Sequence, residues 1–599
     1  MRVGMISSRY RRRSKARGRL LGACLQMVGL AGLSMAQTSG TWTNATSGGA
    51  WSESDNWLDG IVADGAGATG LFNSIDITTD NTVHLDAPRT IGNLTFGDTA
   101  TNTPAGWILD NNGSALNILT LAGTTPTITV NALGTNVWDR SATISAEIAG
   151  SGGLIKAGVG VLTLSASNTF SGTTTVTNKG ILAISNPSAL GSTSGGTTVA
   201  DGQLRLIGGI TVAGEALTLR GNYSDAMGRG ALRSHSGSNV WAGPITLAAG
   251  AETWINASGG PLTLTGGIIG TNRSLRLDQG QQIVTDNPII LASGTLSINS
   301  VTRLAVAGNT FGTLRVDWGG DLRTEVADAV PANTLLILGA SGSGSSSAGR
   351  GTVNLSGNDL TVARLTDGGT NYLNELVHNS SGTAARLTIN QSVNTNYLGR
   401  IAGNLALIKQ GAGTLTLGGS NSYSGATTVS NGILRVNGLH LGGGLYTVAS
   451  GATLGGTGLI SAALYSVSGG VVAPGNAIGT LTFNGNADLD GVLKIELDSS
   501  GFGSSDVLSV TGTLDISAAT LDFDLLGEAL DDDAYVFAEY GALVGTFADI
   551  LDAPGGYLIN YAYNGNQIAL VIPEPATLSL LLIGALGLML HARRKKSAR

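Results

Sequence analysis

The sequence predicts an all-β fold, a solenoid of short strands wound into stacked coils with a cap at each end, followed by a C-terminal transmembrane helix. Three observations carry that reading. Glycine makes up 91 of 599 residues and charged residues only 12%, against about 7% and about 25% in ordinary globular chains. Between the termini, apolar residues alternate with period two in short pieces bounded by Gly, Asn and Ser, as in Val161-Leu162-Thr163-Leu164 and Thr295-Leu296-Ser297-Ile298, the mark of half-buried strands. Finally, one long unit occurs twice.

The first copy runs Ile155-Lys156-Ala157-Gly158-Val159-Gly160-Val161-Leu162-Thr163-Leu164 and on through Asn168-Thr169-Phe170-Ser171-Gly172. The second, 253 residues later, runs Ile408-Lys409-Gln410-Gly411-Ala412-Gly413-Thr414-Leu415-Thr416-Leu417 and Asn421-Ser422-Tyr423-Ser424-Gly425. Each continues to a third strand, Ile181-Leu182-Ala183-Ile184 and Ile433-Leu434-Arg435-Val436. The lysine, both glycines, the Leu-x-Leu pair and the Asn-x-aromatic-Ser-Gly turn all hold. Gly-Thr-Leu also opens a predicted strand at Gly294, Gly312, Gly413, Gly479 and Gly512. A strand of four or five residues cannot bury an apolar face alone, so each coil must lie on its neighbour about 4.8 Å away. Inward Leu, Val and Ile then form one column, while Gly and Asn take the corners that need positive φ. About 500 residues at about 20 to 25 per coil give roughly 20 coils and a rod on the order of 100 Å.

The ends of the chain differ from this body. Residues 1–36 hold eight Lys and Arg and no acid before an uncharged apolar run that closes on Ser34-Met35-Ala36, which predicts a secretory signal peptide cut between Ala36 and Gln37. Cys24, the only cysteine, leaves with it, so the body has no disulfide. Residues 37–140 carry five of the eight tryptophans, Trp42, Trp51, Trp57, Trp107 and Trp138, and read as an N-terminal cap with the first coils. Large rings there can plug the open end of the column or stack on sugars. Residues 141–485 read as the repeats and 486–571 as the last coils and C-terminal cap. The segment 572–599 carries Pro573-Glu574-Pro575, has 18 uncharged residues between Glu574 and Arg593, and closes on a basic cluster with Arg593, Arg594, Lys595 and Lys596. That is long enough to cross a bilayer, and the basic cluster would stop translocation on the cytoplasmic side.

Two resemblances follow from these residues. The tail is similar to the PEP-CTERM sorting signal, which implies recognition by an exosortase-type membrane protease, transient anchoring in the inner membrane, and delivery to the cell surface or extracellular matrix. The repeated unit resembles the autotransporter-associated β-strand repeat, clearest over 154–184 and 405–436, which implies a right-handed parallel β-helix of the passenger type. An autotransporter passenger is followed by an outer-membrane barrel of ~10-residue alternating strands. Here the tail stands in that place, so delivery is expected to run through it.

Removing the 13 basic residues of the two ends and Glu574 from the chain's 33 basic and 40 acidic residues leaves 20 and 39, a net charge near −19. Such a body repels nucleic acid. Its histidines, His84, His235, His378 and His440, are far apart, and no HExxH, CxxC, GxSxG or Walker-type spacing occurs. No catalytic residue, metal ligand or cofactor is therefore assigned. Asp522 and Asp524, two apart on one predicted strand, and Asp531-Asp532-Asp533 could serve as an acid/base pair or hold Ca²⁺; a solvated edge of the cap is the simpler reading. The function expected is a non-enzymatic rod for adhesion or for biofilm and exopolysaccharide structure, binding extracellular polysaccharide or a cell surface. The alternative is a β-helix polysaccharide lyase or glycoside hydrolase.

Overall fold

The computed structural model describes residues 37–136, 138–225, 228–339, 350–368, 374–499, 504–527 and 529–573. Its regular structure is almost entirely strand, with two short 3-10 turns, Ser54–Asn56 and Leu58–Gly60, near the start. Neighbouring strands in a sheet come from successive coils and pair in parallel. One face begins with Gly40–Thr41, Thr69–Phe72, Asn93–Phe96, Thr127–Val130 and Leu154–Ala157. A second carries Asn81–His84, Trp107–Asp110, Ser141–Ile144, Val161–Leu164, Ile181–Ile184 and Gln203–Ile207. A third begins with Arg89–Ile91, Leu119–Leu121 and Ile148–Ala149. This is a parallel β-helix. One coil takes 20 residues where Leu162 pairs Leu182, 18 where Ile298 pairs Val316, and 31 where Gly320 pairs Gly351.

Alternation along each strand sends one set of side chains inward, and register stacks them. Leu162, Leu182, Leu204, Leu232, Ile255, Leu277, Ile298, Val316 and Leu338 lie over one another, all buried. A single apolar cluster runs from Trp42 to Leu570, which the repeat pattern predicted.

The repeated unit now has a physical account. Gly158 and Gly411 stand at φ 73° and 75°, a left-handed corner that a Cβ disfavours. Gly160 and Gly413 pack on the preceding coil, where a Cβ would strike the carbonyl oxygens of Asn131 and Val393. Asn168 and Asn421 are buried, and each accepts a backbone N–H from an earlier coil, Ile148 at 2.8 Å and Ile401 at 2.9 Å. The lysines are the surprise. Lys156 and Lys409 point inward, fully buried, and fold onto the corner that follows them. Lys156 Nζ donates to the carbonyls of Ala157 (2.6 Å) and Gly158 (2.7 Å). Lys409 Nζ donates to those of Gln410 (2.8 Å), Gly411 (2.8 Å) and Asn431 (3.1 Å). Replacing Gly411 by Ala is expected to cost about 1–2 kcal/mol through its φ alone, read as a lower denaturant midpoint.

Four of the five Gly-Thr-Leu sites open strands, at Thr295, Thr313, Thr414 and Thr480. The fifth does not: Gly512 lies inside Val507–Asp515, where pairing slips between Val510 and Thr513 and the strand bends round a corner without a turn.

Both ends are closed. Trp42, Trp51 and Trp57 are at most 2% exposed and pack edge-on at ring separations of 5.2–5.3 Å, with Phe72, Phe96 and Trp107 behind them. At the far end, Ala534–Val544, Gln567–Val571 and Leu558–Tyr563 pair antiparallel, ending the parallel stack.

Candidate binding face

The outward side of the second face is the most differentiated surface of the rod. Beside the leucine column runs a second one, Thr143, Thr163, Ala183, Arg205, Arg233, Asn256, Asp278 and Asn299 in register on successive coils, of which Ala183, Arg205, Arg233, Asn256 and Asp278 are buried. Its chemistry changes along the axis from two threonines and an alanine, through two arginines, to amides and a carboxylate.

At its N-terminal end lies a groove of about 320 Å³. Val161, Ile181 and Ala183 form a small apolar patch there, separate from the core, with Ile207 and Tyr223 packed on it. The groove is also lined by Asp80, Trp138, Arg140, Ser141, His235 and the buried Arg205. Asp80 Oδ1 accepts the Gly106 N–H at 2.7 Å, and Arg140 Nε reaches Pro104 O at 3.1 Å. Arg205 donates from Nε to Gln203 Oε1, whose amide is itself held by Gly230 O at 2.8 Å. Indole, guanidinium, hydroxyl and carboxyl groups side by side suit a saccharide, whose ring faces are apolar and whose edges carry hydroxyls; Arg140 and Asp80 lie 3.9 Å apart there.

Further along, the guanidinium groups of Arg276 and Arg229 lie over the Trp254 ring, at 4.7 Å and 5.3 Å from its centroid. Glu252 accepts from Trp254 Nε1 (2.7 Å), Arg276 Nε (2.9 Å) and Ser297 Oγ (3.1 Å), which ties three coils together. Burial raises the carboxyls of Asp278 and Asp317, against the pull of Arg276 and Arg315.

The residues marked in the sequence fall as follows. Trp51 and Trp57 are buried, with Nε1 bound to Ala63 O (2.9 Å) and Trp51 O (2.8 Å), so they plug the rod end and offer no sugar platform. Asp522 and Asp524 do share a strand, Thr520–Leu526. A base adjoins them: Lys494 on the neighbouring coil lies 3.0 Å from Asp524 Oδ2. The spacing could not reveal this, because register partners lie a coil apart in sequence. Gln37 is exposed and donates to Gly67 O at 3.0 Å. Pro573 lines a surface groove beside the last strand. Ala36, Glu574, Pro575, Arg593, Arg594, Lys595 and Lys596 lie outside the described residues, as does the predicted transmembrane helix. Among the described residues no helix is long and apolar enough to cross a membrane, and no group of three or more His, Cys, Asp or Glu is placed to hold a metal ion.

Comparison with known proteins finds a likeness in the repeated unit: the passenger-associated-transport-repeat family matches residues 154–184 and 407–436, its two copies. The chain is 28% identical over 495 residues to the adhesin BmaC autotransporter of Brucella suis biovar 1 (strain 1330), covering 76% of this chain and 12% of that protein. It is 34% identical over 137 residues to an extracellular serine protease of Serratia marcescens, covering 23% of this chain and 13% of that one. The chain thus spans about an eighth of the length of these relatives. The crystal structure of the Haemophilus influenzae Hap adhesin aligns over 86% of this chain and 65% of its own at 12% identity with a TM-score of 0.27, too loose a fit to argue from.

Proposed function

We propose that this chain is a non-enzymatic adhesive rod, exported through the inner membrane and displayed at the cell surface or in the extracellular matrix. The passenger-type repeats and the likeness to an autotransporter adhesin support export and display. The observation that carries the adhesive reading is the groove on the second face, where Trp138 and Arg140 stand among its lining residues. Its ligand is an extracellular polysaccharide or the glycans of a cell surface. The coil is right-handed, the hand that parallel crossovers favour. The tail from Pro573 onward acts as a PEP-CTERM-type signal: an exosortase-type protease cuts near Pro573-Glu574-Pro575 after the apolar segment has held the chain in the membrane. The acidic body keeps nucleic acid away.

The test is binding of the purified chain to matrix polysaccharide. Trp138→Ala with Arg140→Ala is expected to weaken it about tenfold, the equivalent of about 1.4 kcal/mol, with unchanged thermal midpoint and no new reducing ends in any digest. Binding that ignores both substitutions, or a deletion strain with normal biofilm, refutes the proposal.

A further inference from the structure

His440 is a titratable group inside the rod that neither the repeat pattern nor the binding groove uses. It ends the short strand Leu439–His440 and is fully buried, with the Tyr423 ring stacked on it at 4.1 Å and the Tyr446 ring tilted beside it at 5.4 Å. Its Nε2 lies 3.0 Å from Tyr423 O and its Nδ1 2.8 Å from the Tyr446 hydroxyl. A carbonyl oxygen only accepts, so Nε2 carries the proton and Nδ1 accepts the Tyr446 O–H. The Tyr446 and Tyr423 hydroxyls lie 3.3 Å apart, and the latter is 2.7 Å from Thr427 Oγ1. Both ring nitrogens are thus satisfied while the ring is neutral. The first copy of the repeated unit has Phe170 at the place of Tyr423 and so lacks this hydroxyl.

A second proton on His440 turns Nδ1 into a donor aimed at the hydroxyl that was donating to it, and it buries a positive charge. No carboxylate stands ready to balance that charge. The strands around the ring, Ser420–Tyr423, Thr427–Val429, Tyr446–Val448 and Leu459–Ile460, hold no Asp, Glu, Lys or Arg, and their titratable groups are Tyr423 and Tyr446. Phe483 covers Tyr446 at 6.0 Å. The strands paired with these in turn bring two charged groups, both cations: Arg400, at the end of Arg400–Gly403 away from Tyr423, and Lys409, which pairs Val429. From residue 411 to residue 483, Arg435 is the only Asp, Glu, Lys or Arg. We propose that this cluster is an acid-operated break point in the rod: when His440 takes up a proton, the coil of residues 421–446 opens locally while distant coils stay wound. The segment that closes over it is 441–445, where Gly442 sits so tightly against Tyr423 O and His440 Nε2 that a Cβ would strike both. Leu441 and Leu445 are already exposed at its two ends.

The sign of the effect follows from burial, which lowers His440 below 6.5, an effect that the Tyr423 carbonyl partly offsets. Burial also raises Tyr423 to about 12 and Tyr446 well above its ordinary value, so both keep their hydrogens. Once the coil opens, the imidazole regains its ordinary affinity, so below 6.5 the open form binds more protons and the closed form loses ground as pH falls. Amide exchange of the full chain, followed by mass spectrometry and corrected for intrinsic rates, tests this. The N–H groups of Leu441 and Tyr446 donate to Asn421 O (3.0 Å) and Ala463 O (2.9 Å). Their protection is expected to fall below pH 6.5, by as much as about tenfold per pH unit, the limit for uptake of one proton. His440→Gln, whose amide can still donate to Tyr423 O but takes up no proton, should lose that fall. His440→Phe, which keeps the stacked ring, should be less protected at pH 7.5 and equally flat below it. Protection that falls as steeply in either variant as in the unaltered chain, or that holds steady in the unaltered chain down to pH 4.5, overturns the break point. The saccharide groove lies on other coils, so neither result bears on it.

Discussion

Trp51→Ala is expected to destabilise the N-terminal end of the rod by about 3–5 kcal/mol, the usual cost of truncating a buried tryptophan. Trp51 is fully buried, donates to Ala63 O at 2.9 Å and packs on Trp57 and Phe72 at 5.2 and 5.4 Å. Its loss leaves a cavity where no further coil can fill in. Because each coil rests only on its neighbours, the damage should stay local. Limited proteolysis is expected to cut within the first coils, while amide exchange around Leu407 and Leu434 stays as slow as before. Uniform loosening along the whole chain would mean that the tryptophans are not a plug.

Lys409→Met is expected to cost about 2–3 kcal/mol at neutral pH, because it leaves three corner carbonyls without their donor, and each orphaned acceptor costs about 1–3 kcal/mol before the ammonium's own desolvation is offset. The pH dependence separates this from simple misfit. Burial lowers Lys409 to about 8 and Lys156 to about 7, from 10.5. Between those values and 10.5 the unfolded chain binds more protons than the folded one, so stability rises with pH across that window. The unaltered chain should therefore gain stability from pH 7 to pH 10. Lys409→Met should gain less, and the gap between the two should widen. Denaturant midpoints at three pH values decide it; parallel curves would show that Lys409 does not titrate there.

The coil was legible because its cause is local. Alternation, Gly corners and a unit repeated at fixed offset each follow from strands too short to stand alone, and the register bore out all three. What the sequence hid was direction and neighbourhood. Lys156 and Lys409 sit in the repeated unit in plain sight, yet alternation places Ile155 and Ile408 half-exposed and the lysines inside. A third Asn-x-aromatic turn, Asn309-Thr310-Phe311, works like the other two, with Asn309 accepting the Ile289 N–H at 2.8 Å. It went unmarked because no Lys-x-Gly-x-Gly precedes it. The groove joins residues from different coils. Such contacts follow from coil length, which varies by several residues from turn to turn and which spacing alone does not set.

The stacking has a mechanical consequence for a molecule held at one end and gripped at the other. Hydrogen bonds between coils run along the long axis, so tension loads the coils in series and peels them one at a time. Each released turn of 20 residues pays out roughly 60 Å of chain. In the proposed adhesive role, such a chain lengthens under flow and absorbs the work of a pull instead of passing it to the bound ligand.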